Sequence, residues 1–128
     1  MNAIENKISN GLENFLSLIR EAEEINRMSC EEEQEQNNKQ QDLLHYIELE
    51  HYDYHKCARL TKNLREVRRK RRIAKDNQDL VASLVEWAET NKNIIKTLER
   101  VLGESRKKER HIENRFYIPR AKEIADGS

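Results

Sequence analysis

The chain has 128 residues, 24 basic and 24 acidic side chains that cancel to a formal net charge of zero, and a composition 38% charged and only 36% hydrophobic. That length suits one domain with a lean core, and the balanced charge gives no support to a generic polyanion-binding protein. One proline and three glycines, set among abundant Glu, Lys, Arg, Leu and Ile, describe long helices packed along narrow seams.

Apolar residues at Ile4, Ile8, Leu12, Phe15, Leu18, Ile19, Ala22 and Ile25 recur at three and four, which predicts an amphipathic first helix. The stripe fades through the polar stretch Ser29 to Asp42 and resumes at Leu43, Leu44 and Ile47. It is then disturbed at ELEHYDYHKC, Glu48 to Cys57. A second stripe runs through Leu60, Leu64, Val67, Ala74 and Val81, shifts phase slightly, and continues through Leu84, Trp87, Ile94, Ile95, Leu98, Val101 and Leu102 to Gly103.

One continuous helix or two helices folded back at His51 to Asp53 fit this pattern, and the fold-back is favoured. The stripe breaks phase there, Asp53 suits an N-cap, and the two arms are nearly equal. The expectation is an all-α, long antiparallel helical hairpin with coiled-coil packing, 3–50 and 54–102, in a single domain 1–128. A C-terminal helical extension and capping tail would occupy 103–128. Folding back pairs positions whose numbers sum to about 104. Leu44 then meets Leu60, Ile47 meets Cys57, and Glu31, Glu32, Glu33 and Glu35 lie beside Ile73, Arg72, Arg71 and Arg69. Glu33 and Arg71 form the expected register pair in a polar, weakly supported middle.

The run REVRRKRRIAK, Arg65 to Lys75, carries seven basic side chains in eleven positions, and this register answers part of it from within. Arg71 falls in the seam, while Lys62, Arg65, Arg69 and Arg72 form an outer stripe over about 15 Å of helix. Such a stripe could contact nucleic acid or an acidic partner. Nucleic acid is not favoured, because the zinc module, helix-turn-helix and aromatic interleaving that accompany it are missing.

Tyr46, His51, Tyr52, Tyr54 and His55 gather at the fold-back, where aromatic rings suit a partner-binding tip. His51 and His55 sit four apart as two metal ligands would, but a turn between them separates their faces, so no metal is expected. Cys30 and Cys57 are the only cysteines. Neither has a His and carboxylate set placed to activate it, and no glycine-rich phosphate loop exists; no enzyme and no cofactor are expected. No apolar run reaches membrane-span length and the N-terminus lacks a signal-peptide apolar region, so a cytoplasmic location is expected. At RFYIPR, Pro119 turns Ile118 out of the helix, leaving Phe116, Tyr117 and Ile118 to pack on the open end of the hairpin.

DLLHYIELE, then a leucine stripe, LREVRRKRRIAKDNQDL and RFYIPR, together spanning Asp42 to Arg120, resemble a group of small, highly charged helical proteins of bacteriophages and prophages of Gram-positive bacteria. The resemblance implies the cytoplasm of an infected or lysogenic cell, and roles in host takeover, control of phage development or blocking a defence system. A lone hairpin buries little apolar surface, so a homodimer is expected, with a four-helix bundle near the Ile4 to Ile25 and Leu80 to Leu102 end. The functional expectation is a non-enzymatic protein-interaction module; a nucleic-acid-binding accessory protein using 62–75 is the alternative.

Overall fold

The computed structural model describes residues 6–51, 53–115 and 121. Its described residues form three helices and no strand: α1, Lys7–Leu49; α2, Tyr54–Thr90; and α3, Lys92–Asn114. The all-helical class therefore stands. The chain divides into two compact units, one of residues 1–16 with 93–128 and the other of 17–92.

The second unit holds the fold-back. α1 closes with the Glu50 N–H donating to the Tyr46 carbonyl at 3.0 Å. Asp53 then adopts an extended backbone (φ −82°, ψ −178°), and its carboxylate accepts from the Lys56 N–H at 2.8 Å. Carboxylate capping satisfies one of the amides that the first turn of α2 leaves without an intrahelical acceptor. A turn without Gly or Pro is thus specified by its cap.

Along α2 the positions turned inward are Leu60, Leu64, Val67, Arg71, Ala74, Gln78, Val81, Val85 and Ala88, buried or half-buried and spaced alternately four and three. On α1 the matching positions are Asn26, Ser29, Glu33, Gln36, Gln40, Leu43 and Ile47. Apolar burial therefore concentrates at Leu60 and Val67 on one side and at Ile19 and Ala22 on the other, with a polar stretch between. The expected polar middle is real.

The register differs from expectation. The Gln78 side chain donates to the Ser29 carbonyl and the Arg71 guanidinium to Asn37, so facing numbers sum to about 107. Leu44 is 46% exposed and Cys57 is exposed, whereas Leu43 and Ile47 are half-buried. The helices settle on the α1 face that carries Leu43 and Ile47, so that Leu60 and Leu64 both face apolar residues, where a sum of 104 sets Leu64 against Gln40.

The second helix also ends earlier than expected, at Thr90 and not at Leu102. The Thr90 hydroxyl donates to the Glu86 and Trp87 carbonyls, and the Asn91 amide donates to the Trp87 carbonyl at 2.8 Å. These short side chains compete with the backbone for helical acceptors, and Asn91 leaves helical geometry (φ −123°, ψ 35°). Gly103, expected to interrupt the stripe, lies inside α3.

In the first unit, α3 packs beside the first turns of α1. Leu16 and Leu102 are buried, Leu12, Ile95 and Leu98 are half-buried, and Arg106 pairs with Glu13 at 3.0 Å. Gly11 and Gly103 are both helical, and a Cβ added at either would meet open space. The expected packing of Ile4 and of Phe116, Tyr117 and Ile118 lies outside the described residues.

Replacing Asp53 with Ala is expected to lower stability by about 1 kcal/mol through loss of the cap, with Asp53→Ser retaining most of it. Urea denaturation followed by circular dichroism measures both. Equal stability of all three proteins would show that the cap does not hold the turn.

Candidate functional site

Two regions of 17–92 carry the chemistry that the sequence singled out. At the fold-back, Tyr54 is 83% exposed and meets the His55 ring edge-on, with centroids 5.9 Å apart and planes at 76°. Tyr46 is half-buried, and the Lys56 ammonium lies 4.7 Å from its ring centroid. A cation over an aromatic face is attracted by the ring quadrupole, so the start of α2 is tied to the end of α1 by this contact as well as by the turn. A shallow groove beside it is lined by Asp42, Leu43, Tyr46, Lys56, Arg59 and Leu60, together with Asn63. His51 and His55 are exposed; Tyr52 lies outside the described residues. Tyr46, Tyr54 and His55 therefore belong to one end of the helix pair.

Among the described residues no group of three or more His, Cys, Asp or Glu is placed to hold a metal ion. Cys30 and Cys57 are exposed free thiols. No helix is long and apolar enough to cross a membrane among the described residues.

The second region is the basic run. Lys62, Arg65, Arg69 and Arg72 are all exposed on α2. The carboxylates expected to answer the run are engaged elsewhere. Glu31 pairs with Arg27 at 2.8 Å, Glu35 with Lys39 at 3.1 Å, and Glu32 accepts from the Gln36 amide at 2.9 Å. Glu33 accepts from Gln78 at 3.3 Å. Residues four apart on a helix are immediate neighbours, so Glu31, Glu32 and Glu35 find partners on α1 at no cost in register, and Glu33 alone reaches across to α2. Lys62, Arg65, Arg69 and Arg72 take no part in hydrogen bonds or ion pairs with described residues.

Arg27 bridges Glu24 and Glu31 on the open side of α1. The hydrogen bond from Arg27 holds the Glu24 carboxyl below its ordinary range, with desolvation opposing it. A depressed carboxylate contributes stability above its unfolded-state pKa and loses it as pH falls through the lowered folded-state value. Being fully exposed, this contribution is small.

Arg71 is half-buried in the seam, as the sequence implied, but its hydrogen-bond partner is Asn37 and not Glu33. The shift of register accounts for this: Glu33 now stands level with Ala74 and Gln78. Sequence reasoning missed Gln78 as a seam residue and the pairing of Arg71 with Asn37. The signal was the seven-residue spacing of Arg71 and Gln78, which puts the two on the same face of α2. Gln36, only 2% exposed, keeps a buried side-chain oxygen without a hydrogen-bond partner, as does Gln40.

Comparison of the chain with family models, with curated proteins and with solved structures finds no match.

Two measurements follow from the seam. Combining Glu33→Lys with Arg71→Glu should give the sum of the single effects, whereas combining Asn37→Ala with Arg71→Ala should depart from additivity by roughly 0.5 kcal/mol or more. Gln36→Leu should stabilise the pair by about 1 kcal/mol, since it removes a buried oxygen without a partner and keeps the volume. Thermal and urea melts read both; a destabilised Gln36→Leu protein would mean that this oxygen is satisfied.

Proposed function

We propose that the chain is a non-enzymatic protein-interaction module, working without cofactor or metal, that binds or inhibits a host or phage protein through the fold-back end of its helical pair. The observation that carries this reading is Tyr54, 83% exposed and edge-on to His55 at the head of a capped helix. An aromatic ring in water loses little conformational freedom on docking and contributes a large contact area, which is why tyrosine concentrates in binding hot spots. The resemblance of Asp42 to Arg120 to small phage and prophage proteins supports an origin in such a genome. It also supports a cytoplasmic setting and a task in host takeover, phage regulation or blocking a defence system.

The alternating spacing of the seam on α1 and α2 supports coiled-coil packing within this reading. The few buried apolar residues of the chain support a homodimer, in which hairpins join as a four-helix bundle.

A specific observation favours a second reading. Lys62, Arg65, Arg69 and Arg72, left without partners among the described residues, would serve a nucleic-acid-binding accessory protein.

Affinity capture from a bacterial lysate, with and without nuclease, separates the two readings. The interaction-module reading expects capture that resists nuclease and falls about tenfold with Tyr54→Ala, in line with loss of one aromatic anchor. Four phosphate contacts would instead weaken binding roughly a hundredfold between 50 and 200 mM salt. Capture that disappears with nuclease and is indifferent to Tyr54→Ala overturns the primary reading.

A further inference from the structure

Unit 17–92 leaves one long apolar face of its helix pair uncovered. On α1 the exposed members are Leu18, Ile25 and Met28, at 51%, 37% and 56%; on α2 they are Ile73 and Leu80, at 53% and 82%. Each stands one residue before an inward position: Ile19, Asn26 and Ser29 on α1, Ala74 and Val81 on α2. One residue back is a rotation of about 100° about the helix axis, and in an antiparallel pair that rotation turns both rows toward the same side. Met28 and Ile73 do line one groove, with Glu32 and Lys70. Single exposed apolar residues are ordinary on a surface. Two rows in step with the seam make a second seam, of the kind that joins helix pairs into bundles.

We infer that a second copy of the chain covers this face, with the twofold axis parallel to the helices, so that α1 of one copy lies along α2 of the other. The inference rests on the dimer reading above and specifies its surface and symmetry.

Charge identifies the occupant. Toward the fold-back the same face becomes a charged groove, with Lys39, Glu66 and Lys70 in its lining. Along α1 it reads Glu35 then Lys39, and along α2 Glu66 then Lys70, each again one residue before an inward position. Laying α1 on α2 of the second copy, two residues from the level set by the intrachain seam, pairs Glu35 with Lys70 and Lys39 with Glu66, an axial offset of about 3 Å that these long side chains span. The axis repeats both pairs. Glu66 and Lys70 have no hydrogen-bond or ion-pair partner among the described residues, and the exposed Glu35 to Lys39 pair at 3.1 Å is of a kind worth little by itself. Lys62, Arg65, Arg69 and Arg72 lie off this face and stay open in the dimer.

Light scattering of the full chain at micromolar concentration should give the mass of a dimer. Leu80→Glu changes a residue that contributes almost nothing to the intrachain seam; with its helical circular dichroism unchanged, it should weaken the dimer about a hundredfold and give a monomer mass. Lys70→Glu should weaken it about tenfold, and adding Glu35→Lys should restore most of the loss. A monomer mass for the unaltered chain, which would hand this face to a different protein, overturns the dimer reading and the inference together. A dimer that survives Leu80→Glu overturns only the proposed face, and failure of the charge exchange to restore the dimer overturns the proposed symmetry.

Discussion

Alignment of α1 against α2 depends on a few hydrogen bonds that cross a seam poor in apolar side chains. Between the apolar ends of this helix pair, the inward positions of α1 are Asn26, Ser29, Glu33, Gln36 and Gln40. Apolar surface alone is non-directional and would tolerate a slip. Arg71 reaching Asn37 and Gln78 reaching Ser29 and Glu33 fix one alignment. Sliding by a heptad would leave a guanidinium partly buried without these acceptors, and unpaired buried charge is costly. The same polar stretch supplies little hydrophobic stabilisation, so order here comes from specificity at the expense of strength.

That alignment governs where charge is left over. Three acidic side chains of α1 are engaged locally: Arg27 takes Glu24 and Glu31 and Lys39 takes Glu35. α2 carries a run of cations with few acids among them, and its outer stripe has no partner among the described residues. A chain with zero net charge thereby acquires a strongly basic surface on one helix. Totals describe solubility, whereas recognition follows the distribution.

Much of the fold was legible because it follows from local periodicity. The two arms, the fold-back and the Asp53 cap were read from stripes at three and four and from one carboxylate at a phase break. Register was misread because Leu43 and Leu44 are adjacent and either could head the inward row; only packing against Leu60 and Leu64 selects Leu43. The break at Asn91 was missed although Thr90 and Asn91 carried the signal, since short polar side chains are tolerated in many helices and become breakers only when they capture backbone carbonyls. Gly103 was given too much weight for the complementary reason: one glycine costs a helix about 1 kcal/mol, which neighbouring turns can absorb. Of the candidate sites, the grouping of Tyr46, Tyr54 and His55 followed from the turn. Asn37 and Gln78 required the true register.

The two helical glycines have a further effect through where they fall. Gly11 and Gly103 both belong to the unit formed by 1–16 and 93–128. Among the described residues this unit also buries only Leu16 and Leu102 as apolar side chains and holds the buried Glu109 oxygen that lacks a partner. Low propensity and sparse burial reinforce one another, so local opening there costs less than opening around Leu60 and Val67. Amide hydrogens in α3 and the first turns of α1 should accordingly exchange with solvent by fluctuations that never unfold the rest. The chain then has a graded stability, in which one unit opens and recloses while the fold-back and its tyrosines stay in place.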